Sequence, residues 1–185
     1  SGLPERGFSP ATWSGGITWR FAPGYGAAAT LTRAQRAPAI EELYANGPHA
    51  ATATFEVGDR ALRMESSRNL DLSLRKLQGA WRWKAGAYLN RFRDYVFAQS
   101  LGTVDDTGAA DPAGGFTLVN YRQAAARFRG FEAELAWRPE GAWGWRLFAD
   151  AARGTLEGIG NVPRMAPARF GLEASYRAGA WGAFA

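Results

Sequence analysis

From Ala11 to Phe21 every second residue is apolar or glycine: Ala11, Trp13, Gly15, Ile17, Trp19 and Phe21 alternate with Thr12, Ser14, Gly16, Thr18 and Arg20. The same period of two recurs in Leu70, Leu72 and Leu74, and in Trp81, Trp83, Ala85, Ala87 and Leu89. It recurs again in Phe131, Ala133, Leu135 and Trp137, in Trp143, Trp145, Leu147, Ala149 and Ala151, and in Phe170, Leu172, Ala174 and Tyr176. Phe148 is out of phase. Successive side chains of a strand point to opposite faces, so this pattern predicts strands with one apolar and one polar face. No segment calls for a helix, and the expected fold class is all-β.

The polar series carries Arg20, Asp71, Arg75, Arg82, Lys84, Glu132, Glu134, Arg146, Asp150, Glu173 and Arg177. All of these are expected on one side of the sheet. Packed inside a small closed barrel they would have to pair or desolvate at large cost, whereas in a wide, wetted lumen they stay hydrated. A soluble sheet would instead bury the apolar face against a second layer, and no helical segment is present to supply one.

The connections alternate in length. Short ones fall at Ala22-Pro23-Gly24 and near residues 76–80, 138–142 and 177–180; long ones fall at about 35–66, 99–115 and 156–166. The two kinds therefore lie at opposite ends of an antiparallel up-and-down sheet of roughly eight strands. Short turns at one end and long loops at the other are typical of transmembrane β-barrels. Every tryptophan except Trp13 lies near a short turn, as an aromatic belt at one membrane interface would require.

Composition narrows the function classes. The 185 residues contain 22 basic and 17 acidic side chains, one histidine and no cysteine. Without cysteine there is no disulfide scaffold, thiolate metal site or cysteine nucleophile. Only Lys76 and Lys84 among the basic residues are lysine, and the arginines are spread along the chain. No basic stripe marks a nucleic-acid partner. No apolar run is long enough for a membrane helix, and no signal peptide is visible after Ser1. With His49 the single histidine, hydrolytic catalysis has little to work with, and no enzyme activity is expected.

The first long loop reads Arg33-Ala34-Gln35-Arg36-Ala37-Pro38-Ala39-Ile40-Glu41-Glu42-Leu43-Tyr44-Ala45-Asn46-Gly47-Pro48-His49. Arg36-Ala37-Pro38 followed by Glu42-Leu43-Tyr44 resembles the R-x-P…E-L-Y signature of TonB-dependent outer-membrane receptor barrels. The continuation Ala50–Asp59 resembles the G-x-H-x-A-T-x-T-[FY]-E-x-G loop of the zinc-import branch. Ser67–Leu72, Asn90–Val96 and Ala126–Glu134 resemble three later strands in the same order.

The resemblance implies part of an outer-membrane barrel of 22 strands in a Gram-negative cell, residues 1–185 being a partial barrel domain. Plug domain, TonB-contacting box and closing strands are not recognised in it. Its partners would be outer-membrane lipid, the receptor's own plug, TonB, and a transported metal ion or metal chelate. Zinc would be cargo, with no resident cofactor in this segment.

His49 is the leading candidate ligand, with Glu42, Glu56 and Asp59 as further candidates, since zinc takes three or four ligands. Ala50 and Ala53 stand where zinc-branch loops often carry more histidines. Arg36, Glu42 and Tyr44 are expected to form a polar knot at the loop root, and the Arg127–Glu134 run is expected to be lumen wall. Two alternatives remain open: a self-closing eight-strand barrel with an anchoring or adhesive role, and an outer-membrane barrel hydrolase using His49 as base.

Overall fold

The computed structural model describes residues 6–185. Its elements are β1 (Trp13–Ala22), β2 (Tyr25–Arg36), α1 (Ile40–Tyr44), β3 (Asn46–His49), a 3-10 turn (Ala50–Thr52) and β4 (Thr54–Val57). After these come β5 (Glu65–Lys76), β6 (Trp81–Val104), β7 (Phe116–Trp137), β8 (Trp143–Leu156), β9 (Gly160–Asn161), β10 (Arg169–Ala178) and β11 (Trp181–Phe184). The sheet order is β1-β2-β5-β6-β7-β8-β10-β11, which is chain order once three short loop strands are set aside. This is the antiparallel up-and-down arrangement that the alternating short and long connections predict.

Three features depart from the expected elements. A five-residue helix, α1, occupies the first long loop. It is too short to show a helical period, and it starts where the Glu42 carboxylate accepts the Ala39 N–H at 2.7 Å, the reach-back half of a capping box. The strand β6 continues to Val104 through Gly102, whose φ of +131° only glycine adopts freely. The third departure is a parallel pairing of β4 with β7, which aligns Thr54–Val57 with Thr117–Asn120. Local alternation carries no information about that partner.

Two compact units make up the chain. Among the described residues the first comprises 6–12, Ala34–Ser67 and Phe92–Ala126. It holds nearly all the buried apolar side chains: Leu43, Phe55, Leu62, Val96, Phe97, Val104, Val119 and Ala126. Leu43, Leu62 and Val96 pack together, with Phe8, Tyr44 and Tyr121 against them. This unit is a folded loop domain with a core of its own.

The second unit comprises Trp13–Arg33, Arg68–Arg91 and Arg127–Ala185. Here the apolar series is exposed: Ile17 at 70%, Trp19 at 65%, Leu172 at 60% and Phe170 at 91%. One contiguous surface of this kind is lined by Ile17, Trp19, Ala27, Ala29, Leu72, Leu74, Ala85 and Ala87. An apolar face this extensive belongs against lipid or protein rather than water.

Candidate functional site

In the loop unit, β2 ends at Arg36, and Pro38 then turns the chain into α1. The Arg36 guanidinium takes both oxygens of Glu42, at 3.1 and 2.9 Å, and reaches Glu65 Oε2 at 3.3 Å. The same Glu65 oxygen accepts the buried Val96 N–H at 2.9 Å. One arginine thus ties the strand end, the helix and β6 together. The hydrogen bond to Glu42, opposed by burial and reinforced by Glu65, raises the Arg36 pKa above its ordinary value. The expected knot of Arg36 and Glu42 is present, with Glu65 as a third member that the sequence motif did not name. Tyr44 takes part differently, packing on the apolar cluster with Arg60 over its ring at 5.6 Å.

A second knot fixes β6. Asp94 has φ of +56°, and its carboxylate pairs with Arg63. The Gln123 amide donates to the carbonyls of Arg63 and Asp94 at 2.7 and 2.9 Å and accepts the Arg63 N–H at 2.9 Å. The Asn90–Val96 motif therefore marks a left-handed backbone position at Asp94 held by side chains from two other segments.

The loop hairpin β3–β4 brings His49 opposite Thr54 and Gly47 opposite Glu56. His49 Nδ1 lies 3.3 Å from Glu56 Oε1. Thr54 donates to that same carboxylate oxygen at 3.0 Å, and Tyr121 donates to Oε2 at 3.0 Å. Burial pushes the Glu56 carboxyl upward, but the bonds from Tyr121 and Thr54 and the nearby His49 outweigh it and hold the pKa below the usual carboxylate value.

Of the four candidate ligands, the structure brings together His49 and Glu56. Glu42 is engaged by Arg36, and Asp59 accepts the Ala61 N–H at 2.7 Å in a turn. Among the described residues no cluster of three or more His, Asp or Glu side chains is placed to hold a metal ion.

The sheet unit presents the charged wall. Arg146 donates to Glu134 at 2.8 Å and to Glu173 at 3.4 Å, and Lys84 lies 3.3 Å from Glu134. Arg169 pairs with Asp150, its partner in the β8–β10 register. Asp71, Lys84, Glu132, Glu134, Arg146 and Asp150, all members of the polar series, line a single concavity together with Arg169.

Phe148, the residue out of phase, lies on this polar face, over Gly171 on the next strand. A Cβ at Gly171 would sit 2.2 Å from its ring. Tyr88 covers Gly130 and Phe128 covers Gly154 in the same way, each within 2.7 Å of a Cβ position. Aromatic rings laid over cross-strand glycines shield backbone that would otherwise be bare. Arg127 and Arg129 depart from the expected lumen-wall role. They alternate with Phe128 and Gly130, so they project to the apolar face.

The description "TonB dependent receptor-like, beta-barrel" fits residues 3–185. The chain belongs to that family. Among solved structures, the copper transporter OprC superposes with a TM-score of 0.70 at 19% identity, over 87% of this chain and 23% of that one. The siderophore receptor PirA from Pseudomonas aeruginosa gives 0.61 at 15% identity, over 91% of this chain and 28% of that one. At these identities the likeness is one of fold. The chain spans about a quarter of the length of either structure, so its eight-strand sheet corresponds to a segment of a TonB-dependent receptor barrel.

Proposed function

We propose that this segment supplies folded loops and lumen wall to an outer-membrane receptor of a Gram-negative cell that imports a metal ion or metal chelate. The observation that carries the reading is the His49–Glu56 pair, displayed on a hairpin that is anchored at Tyr121. Its imidazole is 58% exposed while the carboxylate is 18% exposed, so the imidazole is open to a cargo and its partner is held in place. A neutral imidazole with an adjacent carboxylate suits a borderline divalent ion such as zinc, and further ligands would come from the plug or other loops. The family implies that plug displacement through TonB drives uptake. The names of the two similar structures, a copper transporter and a siderophore receptor, support metal cargo in general, and zinc rests on the loop motif.

The test is cellular uptake and binding of zinc, copper and an iron chelate by the full-length receptor with His49→Ala or Glu56→Gln. A selective loss of zinc binding is expected, roughly tenfold or more for a lost ligand or orienting partner. Unchanged zinc affinity in both variants would remove the pair from the cargo site.

A further inference from the structure

Six arginines interrupt the apolar face of the sheet unit, all in the part of that unit farthest along each strand from the short turns. Arg33 continues the series Ala27, Ala29, Leu31 on β2, and Arg68 continues Leu74, Leu72, Leu70 on β5. Arg91 follows Ala87 and Leu89 on β6. Arg129 and Arg127 follow Leu135, Ala133 and Phe131 on β7, and Arg153 follows Ala149 and Ala151 on β8. All six are exposed. The apolar series of these strands contains no Asp or Glu, and none of the six side chains forms an ion pair among the described residues.

The register sets like charges side by side. Gly86 lies against Glu132 and Gly130 against Tyr88, while Arg138 N–H bonds Ala80 C=O at 2.8 Å, so Arg91 falls opposite Arg127. Gly154 lies against Phe128 and Thr155 Oγ1 reaches Arg127 C=O, which places Arg153 opposite Arg129. Leu77 N–H bonds Gly24 C=O and Gly26 lies against Arg75, which sets Arg33 opposite Arg68. Like charges directly across a ladder destabilise it unless an anion lies between them.

Spacing places the arginines relative to the apolar band. Trp81 to Arg91, Trp137 to Arg127 and Trp143 to Arg153 are each ten residues along a strand. At ~3.3 Å per residue and a tilt of ~40°, that is about 25 Å, the height of the apolar band of a membrane barrel. The tryptophans mark one edge of the band and the arginines the other. Trp13, the tryptophan away from a short turn, pairs with Arg33 at the arginine edge.

We propose that this arginine girdle binds the phosphate groups of anionic lipids in the outer leaflet, each phosphate bridging a facing pair of guanidiniums. Arginine suits the task because its planar fork grips phosphate bidentately. A soluble polyanion is a poor fit, since the charges form a line one residue deep bordering an apolar band. The proposal rests on the outer-membrane reading above.

The experiment uses the full-length receptor, first scored for recovery in the outer-membrane fraction, then delipidated in neutral detergent and melted with added lipid. Bis-phosphorylated lipid A is expected to raise the Tm, while its dephosphorylated form and inorganic phosphate leave it unchanged. Arg91→Gln/Arg127→Gln should cut the shift roughly in half, and Arg91→Lys/Arg127→Lys should retain more of it. Arg129→Gln/Arg153→Gln provides a second pair should the first not fold. An equal shift with dephosphorylated lipid, a shift with inorganic phosphate alone, or an undiminished shift in both glutamine variants would overturn the proposal. Absence of the wild-type receptor from the outer-membrane fraction would overturn the outer-membrane reading itself.

Discussion

At the scale of single residues, carboxylates organise the loop unit. Glu42, Glu65 and Glu56 each accept two or more hydrogen bonds, and Glu65 and Glu56 join segments distant in sequence. For Glu56 the consequence is a pH dependence of known sign. Its folded pKa lies below the ordinary 4.5, so its contribution is fully present above that value and is lost as the pH falls through the lower, folded one. Protease nicking of residues 46–57 should therefore stay slow down to mildly acidic pH and rise only below it. Tyr121→Phe, which removes a donor to the carboxylate, should move the onset of nicking to higher pH. An onset that does not move would separate Tyr121 from the stability of the hairpin. The Arg36–Glu42 contact was legible in the motif, but Glu65 and Tyr121 were not, because nothing local connects them to positions 29 and 65 residues away.

At the scale of elements, period two identified β1, β5, the first part of β6, the last part of β7, β8 and β10 and both of their faces, but not β2, where Ala27-Ala28-Ala29 hides the alternation. It missed α1, which is one turn stabilised by its own cap, and the β4–β7 pairing, which depends on where a loop lands. Phe148 broke the pattern for a reason visible only across strands: Gly171 leaves the space that its ring fills. A methyl group at Gly171 must displace that ring, so Gly171→Ala should destabilise the β8–β10 pair by about 1–3 kcal/mol. With Phe148→Ala already in place the same change should cost much less, giving a coupling of about 0.5–3 kcal/mol in a double-mutant cycle. Additive effects in refolding equilibria of the full receptor would show that the ring and the glycine act independently.

At the scale of the whole molecule, the sheet unit carries its apolar residues on one face, edged by six arginines, and on the other face Glu134, Asp150 and Glu173 pair with Lys84, Arg146 and Arg169. Leu147 lies between Trp143 and Arg153, deep in the apolar band, so Leu147→Arg should destabilise the receptor in a bilayer by about 2–4 kcal/mol. Ala152→Arg, on the charged face of the same strand, should cost far less. Equal costs, read from denaturant unfolding in lipid vesicles, would mean that the two faces do not meet different solvents.

Alternation along the chain by itself determined the all-β class and the two unlike faces, because strand geometry converts sequence parity directly into side, and the alternating lengths of the connections determined the up-and-down order. Only the tertiary structure decided which charges meet. It paired His49 with Glu56, and it left Glu42 with Arg36 and Asp59 in its turn. It also set Arg127 and Arg129, which parity puts on the apolar face, beside Arg91 and Arg153. The physical reason is register: parity assigns a face to each residue, but its neighbour on that face is set by turn lengths and by distant backbone hydrogen bonds.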